Sequence, residues 1–398
     1  MIICIFTGFS SGLPFFVTIQ LLQVWLRDNG IGRAEIGLLS LVGIPYVLKF
    51  LWAPLMDRYV PPLFGRRRGW MLLMQLACLG SIALLGSIDP TQSLYAVAYV
   101  ALALSFFSAS QDIVLDAYRR EILPDRELGL GNSIHVQAYR IAGLIPGSLA
   151  LILADFMPWV TVFWVVAGFM LVGVLMTVCV KEPELLPGAK LTIRQALVEP
   201  FKEFFTRKGW RAACWVLAFM FLYKIGDSMA TALSSVFYLD LGFSKTQIGI
   251  VAKNAALWSS IIGGLLGGLL MIRIGINRAL WLFGVVQLLS ILGFALLSSV
   301  GASLWLLAAV ISFEYFGVGL GSAAFIAFIA RETDRRYAAT QLALLTALTA
   351  IPRTFANAST GVIVESVGWT PFFLLCAVIA VPGMILLVKV APWGSADR

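Results

Sequence analysis

Two stretches put ionisable side chains inside apolar runs: Ser110-Gln111-Asp112-Ile113-Val114-Leu115-Asp116 and Tyr223-Lys224-Ile225-Gly226-Asp227. A charge in hydrocarbon costs several kcal/mol, so a membrane segment keeps one where it faces protein or a watery route. The chemistry these residues suit is passage of something polar through a bilayer. Asp112 and Asp116 lie one helical turn apart and share a face, an arrangement that can take up and release a proton. Asp116 has a second reading, an ion pair with Arg119 or Arg120 in a structural charge network. Lys224 and Asp227 are close enough to pair along one helix. They form either a permanent salt bridge that lowers the cost of burial, or one whose members a substrate carboxylate or a proton competes for. Glu314 is a further candidate for proton coupling, Lys253 for substrate or pairing, and Lys49 for pairing with an acid.

The elements that must position these groups are helices. Of 398 residues, 60% are hydrophobic and 13% charged, against roughly 25% charged in ordinary globular proteins. Mean hydropathy is +0.91. The apolar runs are continuous, about twenty residues or longer, which suits transmembrane helices and not the alternating ten-residue strands of a barrel. They predict an all-α polytopic membrane protein with twelve spans: 2–26, 35–57, 70–88, 93–118, 129–154, 159–180, 211–238, 247–272, 279–299, 303–330, 338–364 and 370–390.

The net charge of +8 is a topology signal. Loops on one side hold 21 of the 29 Lys and Arg, and those on the other hold only Arg27, Arg33 and Lys245. By the positive-inside rule both termini and the central loop are cytoplasmic, and the basic balance calls for no nucleic-acid partner. Five scattered cysteines without a CxxC argue against a disulfide framework or zinc. His135, the sole histidine, reads as structural or as a proton relay.

The chain repeats itself. Arg27-Asp28-Asn29-Gly30-Ile31 with Ile36-Gly37 matches Leu239-Asp240-Leu241-Gly242-Phe243 with Ile248-Gly249 at an offset of 212. Arg140 answers Arg353 at 213, and Trp159 to Phe163 answers Trp369 to Phe373 at 210. Uniform offsets indicate duplication. The expected domains are a six-helix bundle over 1–180, a cytoplasmic linker over 181–210 and a second bundle over 211–398. The linker's later part reads as an amphipathic helix, with Phe201, Phe204 and Phe205 on one side and Lys202, Arg207 and Lys208 toward lipid phosphates. Two parallel six-helix halves are the arrangement of the major facilitator fold, which binds substrate near the midplane. Asp57-Arg58 followed by Gly65-Arg66-Arg67-Arg68 resembles that superfamily's cytoplasmic signature. Asp57, Arg58, Arg66 and Arg67 are therefore gating candidates, the alternative being that the arginines are simple positive-inside anchors.

Gly8-Phe9-Ser10-Ser11-Gly12-Leu13-Pro14, Lys49 to Tyr59, Gly65 to Trp70 and Ser108 to Val114 resemble the AmpG family of bacterial muropeptide permeases. So do Tyr139-Arg140, Tyr223 to Asp227 and Ala339-Thr340-Gln341. The resemblance implies import of anhydro-muropeptides across the bacterial inner membrane for peptidoglycan recycling. It implies a proton gradient as driving force, no cofactor, and substrate, protons and membrane lipids as partners of a monomer. Such a cargo is bulky and anionic, so Arg140, Lys224 and Arg353 become candidate carboxylate partners. Gln20 and Gln23 become candidates for sugar or peptide groups, and Tyr223 and Trp52 stacking surfaces or packing residues. A carrier of another sugar, peptide or acyl-carrying anion, or a non-transporting receptor on a carrier fold, fits the same charges. No Ser/His/Asp set, metal cluster or phosphate-binding loop supports an enzyme.

Overall fold

The computed structural model describes residues 1–62, 64–123, 125–183, 202–207, 209–332 and 338–394. Side chains at 50, 54, 57, 58, 125–130, 132, 133, 330, 338–344 and 346–349 lie outside that description. Among the described residues, nine stretches are helical and apolar enough to cross a membrane: Ile2–Asp28, Arg66–Gly86, Leu94–Ile122, Ile134–Leu153, Trp159–Cys179, Trp210–Asp240, Lys245–Val300, Leu304–Ile329 and Trp369–Val390. Lys245–Val300 is two spans joined at Gly275, whose φ of 79° turns the chain sharply where a side chain would be strained. Span eleven is Ala338–Val367. Span two is broken into Arg33–Leu38, a 3-10 segment Leu39–Gly43, Ile44–Leu48, another 3-10 turn Lys49–Leu51, and Ala53–Arg58. The fold is all-helical, with about twelve spans.

By internal contacts the chain forms two compact units, Met1–Gly188 with Phe243–Lys253, and Ala189–Gly242 with Asn254–Arg398. In the first unit, spans one and five approach closely because Gly8 and Gly12 lie against the carbonyls of His135 and Tyr139. Thr7 Oγ1 is 3.1 Å from His135 Nδ1, which gives the buried histidine a structural partner. In the second unit, Gly263 and Gly267 of span eight abut Phe316 and Leu320 of span ten, while a side chain at Gly264 or Gly268 would point into open space. The paired glycines thus mark one packing face.

Three π-turns interrupt the first unit: Val17–Leu21 in span one, Ile145–Leu149 in span five and Ile248–Ala252 at the start of span eight. The turn at Ile145–Leu149 packs on both others. Pro14 and Pro146 lie at or just before two of them, where a missing N–H loosens the regular ladder. Span eight starts from a capping box, Ser244 Oγ accepting from Gln247 N–H at 3.1 Å and Gln247 Oε1 from Ser244 N–H at 3.0 Å.

Of the linker helix, Lys202–Arg207 is helical, and its aromatic side serves protein. Phe204 is buried in the second unit's core beside Phe219 and Phe328, and Phe205 stacks on Trp210 at 4.8 Å. Arg207 is spent on Glu203 Oε1 at 2.8 Å and the Glu332 carbonyl at 2.7 Å. Phe201 and Lys208 lie outside the described residues.

Candidate functional site

In the first unit, span four brings Asp112 to spans one and two. Ser11 Oγ donates to Asp112 Oδ1 at 2.6 Å, and Lys49 Nζ stands 3.6 Å from Oδ2. The 3-10 turn in span two presents that lysine. One carboxylate oxygen thus accepts from a hydroxyl and the other faces an ammonium. Next to it, Gln111 Nε2 donates to the Ser10 carbonyl at 2.8 Å, and Trp52 Nε1 donates to Ser110 Oγ at 3.0 Å. Trp52 also packs against Phe106, at 5.0 Å between centroids. One turn on, Asp116 is more than half exposed and accepts from Arg119 Nη2 at 2.8 Å, the charge-network arrangement.

Gln20 lies within the π-turn of span one, its Oε1 buried without a hydrogen-bond partner and pressed against Gly147 in the π-turn of span five. Lys253, immediately after the third π-turn, also reaches Gly147. Gln23 is half-buried and is engaged within the protein. Arg140 in span five is half-buried and makes no hydrogen bond or ion pair among the described residues.

In the second unit, Lys224 Nζ holds Asp227 Oδ2 at 3.1 Å, and both side chains are about nine-tenths buried. Asp227 Oδ1 has no partner. Glu314 of span ten is fully buried with both oxygens unpartnered, and Asp227 is among its immediate neighbours. Tyr223 donates to the Leu280 carbonyl at 2.9 Å and stacks on Phe325, a packing role. Arg353, the repeat partner of Arg140, is exposed and makes no hydrogen bond or ion pair among the described residues. Each unit thus presents one arginine with its fork unspent, at the position the duplication predicts.

At the basic end of the first unit, Arg66 and Arg67 both hold Glu121 Oε1, at 2.9 and 2.7 Å. Glu182 accepts from the backbone N–H groups of Arg67 and Arg68 at 2.7 and 2.9 Å, capping span three. The side chains of Asp57 and Arg58 lie outside the described residues. Sequence reasoning missed Glu121 and Glu182. It also missed a buried pair that the repeat offset would have found, Gln75 and Gln287, 212 residues apart. Gln75 Oε1 accepts from Thr177 at 2.8 Å and Gln75 Nε2 donates to Ser10 Oγ at 3.3 Å, tying spans one, three and six together. Among the described residues no group of His, Cys, Asp and Glu could hold a metal ion.

Residues 4–357 match the family model described as Major Facilitator Superfamily. An uncharacterised protein of Haemophilus influenzae is 53% identical, over 98% of this chain and 94% of its own length. The anhydromuropeptide permease of Escherichia coli K12 is 41% identical, over 97% of this chain and 78% of its own. Among solved structures, the nucleoside transporter NupG superposes with a TM-score of 0.78 at 14% identity, covering 98% of this chain and 99% of NupG, a likeness of fold alone. With its all-helical build and matches running nearly end to end, this multi-pass membrane chain is a transporter and not an enzyme: it belongs to the Major Facilitator Superfamily and, within it, to the family of the anhydromuropeptide permease.

Proposed function

We propose that the chain imports anhydro-muropeptides, N-acetylglucosaminyl-anhydro-N-acetylmuramic acid and its peptides, from periplasm to cytoplasm by alternating access, coupled to protons. The observation that carries this reading is the 41% identity, across 97% of the chain, to a protein named for that cargo. The charges support it. An anionic, peptide-bearing sugar needs cations not already spent, and Arg140 and Arg353 are such cations. Gln20 offers a buried acceptor for a sugar or amide N–H. Lys224 adds a point charge that substrate can take from Asp227.

Asp57, Arg58, Arg66 and Arg67 gate the cytoplasmic side in this reading, with Glu121 as the anchor of the last two. Both termini face the cytoplasm, in keeping with the placement of Lys and Arg. The deciding measurement is uptake of labelled anhydro-disaccharide into vesicles bearing the protein, with and without an inward proton gradient. Uptake at the level of protein-free vesicles rejects the cargo. Accumulation indifferent to the gradient rejects the coupling.

A further inference from the structure

Glu314 is an acid buried in the interior of the second unit. It is 0% exposed, and neither carboxylate oxygen has a hydrogen-bond partner among the described residues. Its neighbour Asp227 has Oδ2 on Lys224 Nζ at 3.1 Å and Oδ1 unpartnered. Two neighbouring acceptors without a donor are unfavourable, and a single proton shared by them turns one into a donor and satisfies both. Ser290, the adjacent hydroxyl, gives its proton to the Gln287 carbonyl at 2.8 Å. The other titratable groups within electrostatic reach of Glu314 are Tyr238, Tyr315 and Cys376, which are neutral as donors, while Arg353 acts on Asp227. Lys224 is the cation of the cluster, and Asp227 already uses it.

We propose that Glu314, facing Asp227, holds the proton that this transporter carries, in place of Asp112. The proposal rests on the proton-coupled reading above and deepens it. Asp112 differs from Glu314 in its geometry: Ser11 donates to one of its oxygens at 2.6 Å and Lys49 stands 3.6 Å from the other.

Coupling follows from competition for one ammonium. When a substrate carboxylate takes Lys224, that ammonium no longer favours the Glu314 carboxylate, and its proton stays on. When substrate has left and the site opens to the less acidic side, the Glu314 O–H bond breaks and the proton passes to water, to be taken up again where the medium is more acidic. The freed carboxylate then shares Lys224 with Asp227. Substrate and proton are thus carried together because both answer to Lys224.

The test uses the full chain reconstituted in vesicles, with Glu314→Gln, Glu314→Asp and Asp112→Asn beside wild type. Infrared difference spectra across pH read the carbonyl stretch of a protonated carboxylic acid without any substrate. The expected result is a band in wild type and Asp112→Asn that is missing from Glu314→Gln. Labelled anhydro-disaccharide gives the second readout. One proton per substrate supports about tenfold accumulation across a one-unit pH gradient; Glu314→Gln should bring the ratio to one, and Glu314→Asp should recover part of it.

Glu314→Gln that still accumulates cargo, or a band that disappears with Asp112→Asn instead, overturns the proposal. So does a wild-type spectrum without the band, or accumulation that follows sodium at fixed pH, which would make the cluster a sodium site. If wild type moves no disaccharide, the cargo falls and the infrared arm still decides Glu314. Should Glu314→Gln fail to yield monodisperse protein, the aspartate variant and the wild-type band decide it.

Discussion

Trp159 Nε1 donates to Asp28 Oδ2 at 2.7 Å, and 210 to 212 residues later Trp369 Nε1 donates to Asp240 Oδ2 at 3.0 Å. The same bond closes the same corner of each unit, joining the end of one span to the start of another. Around it the aromatic packing also repeats, Trp25 on Phe163 in the first unit and Phe237 on Phe373 in the second. In the first unit the corner has an extra member. Lys245 Nζ reaches Asp28 at 2.9 Å and Asp155 at 3.7 Å, and lies over the Trp159 ring.

That asymmetry sets a stability prediction. Lys245→Ala removes a partly exposed pair and should cost about 1 kcal/mol or less, an effect that shrinks in high salt. Asp28→Ala removes the acceptor that both Lys245 and Trp159 use and should cost about 1–3 kcal/mol more. Thermal unfolding of the two variants at low and high salt checks the order. Equal losses would mean that the tryptophan bond contributes nothing.

The Lys224–Asp227 pair predicts a different signature. Removing one partner leaves the other charged and buried, at a cost of about 3–5 kcal/mol. Lys224→Met or Asp227→Leu alone should therefore destabilise strongly, and the double variant should recover most of the loss. A double-mutant cycle by thermal melting reads the coupling; additive losses would show the two groups to be independent.

Arg140 and Arg353 should behave in the opposite way. Neither makes a hydrogen bond or ion pair among the described residues, so Arg140→Ala and Arg353→Ala should leave the melting temperature nearly unchanged. Each should weaken binding of an anionic ligand by about tenfold to a hundredfold, the worth of a charge-assisted hydrogen bond. Titration of purified protein with anhydro-disaccharide and its tripeptide form checks this. Unchanged affinity in both would move the cargo's carboxylates elsewhere.

Glu121 carries Arg66 and Arg67 together, and Arg67 is nearly buried. Glu121→Gln should cost about 2–4 kcal/mol, because it removes the carboxylate that a nearly buried guanidinium holds. Arg66→Gln should cost under about 1 kcal/mol, since Arg67 keeps the acid. If Arg66→Gln proves the worse of the two, the cluster does more than hold one bundle together.

The spans were legible because a bilayer imposes twenty apolar residues on each, and the duplication because its offset barely drifts. Those two facts matched Arg140 with Arg353 and the Trp and Asp segments of one half with those of the other, while the Trp–Asp bonds themselves came only with the fold. The Asp116–Arg119 pair was legible as well, being local to one helix. What escaped were partners brought by tertiary approach alone. Lys49 meets Asp112 across 63 residues, through a 3-10 turn that no periodicity announces. Glu121 reaches Arg67 over 54 residues, and Glu182 caps a helix begun more than a hundred residues earlier. Glu314 stood out in sequence as a buried acid, but only packing shows that its neighbour is another carboxyl.

The π-turn at Val17–Leu21 has a consequence for how span one is to be counted. It acts as a dislocation in a one-dimensional lattice, carrying one residue more than the helix on either side requires. Each residue advances an α-helix by about 100°. A wheel drawn straight through the span therefore goes out of phase by about that angle at residue 21. Gln20 and Gln23 are three apart on paper, yet they straddle the phase slip, and the face they would share in an unbroken helix is divided between them. Any comparison of faces along this span has to restart its count there.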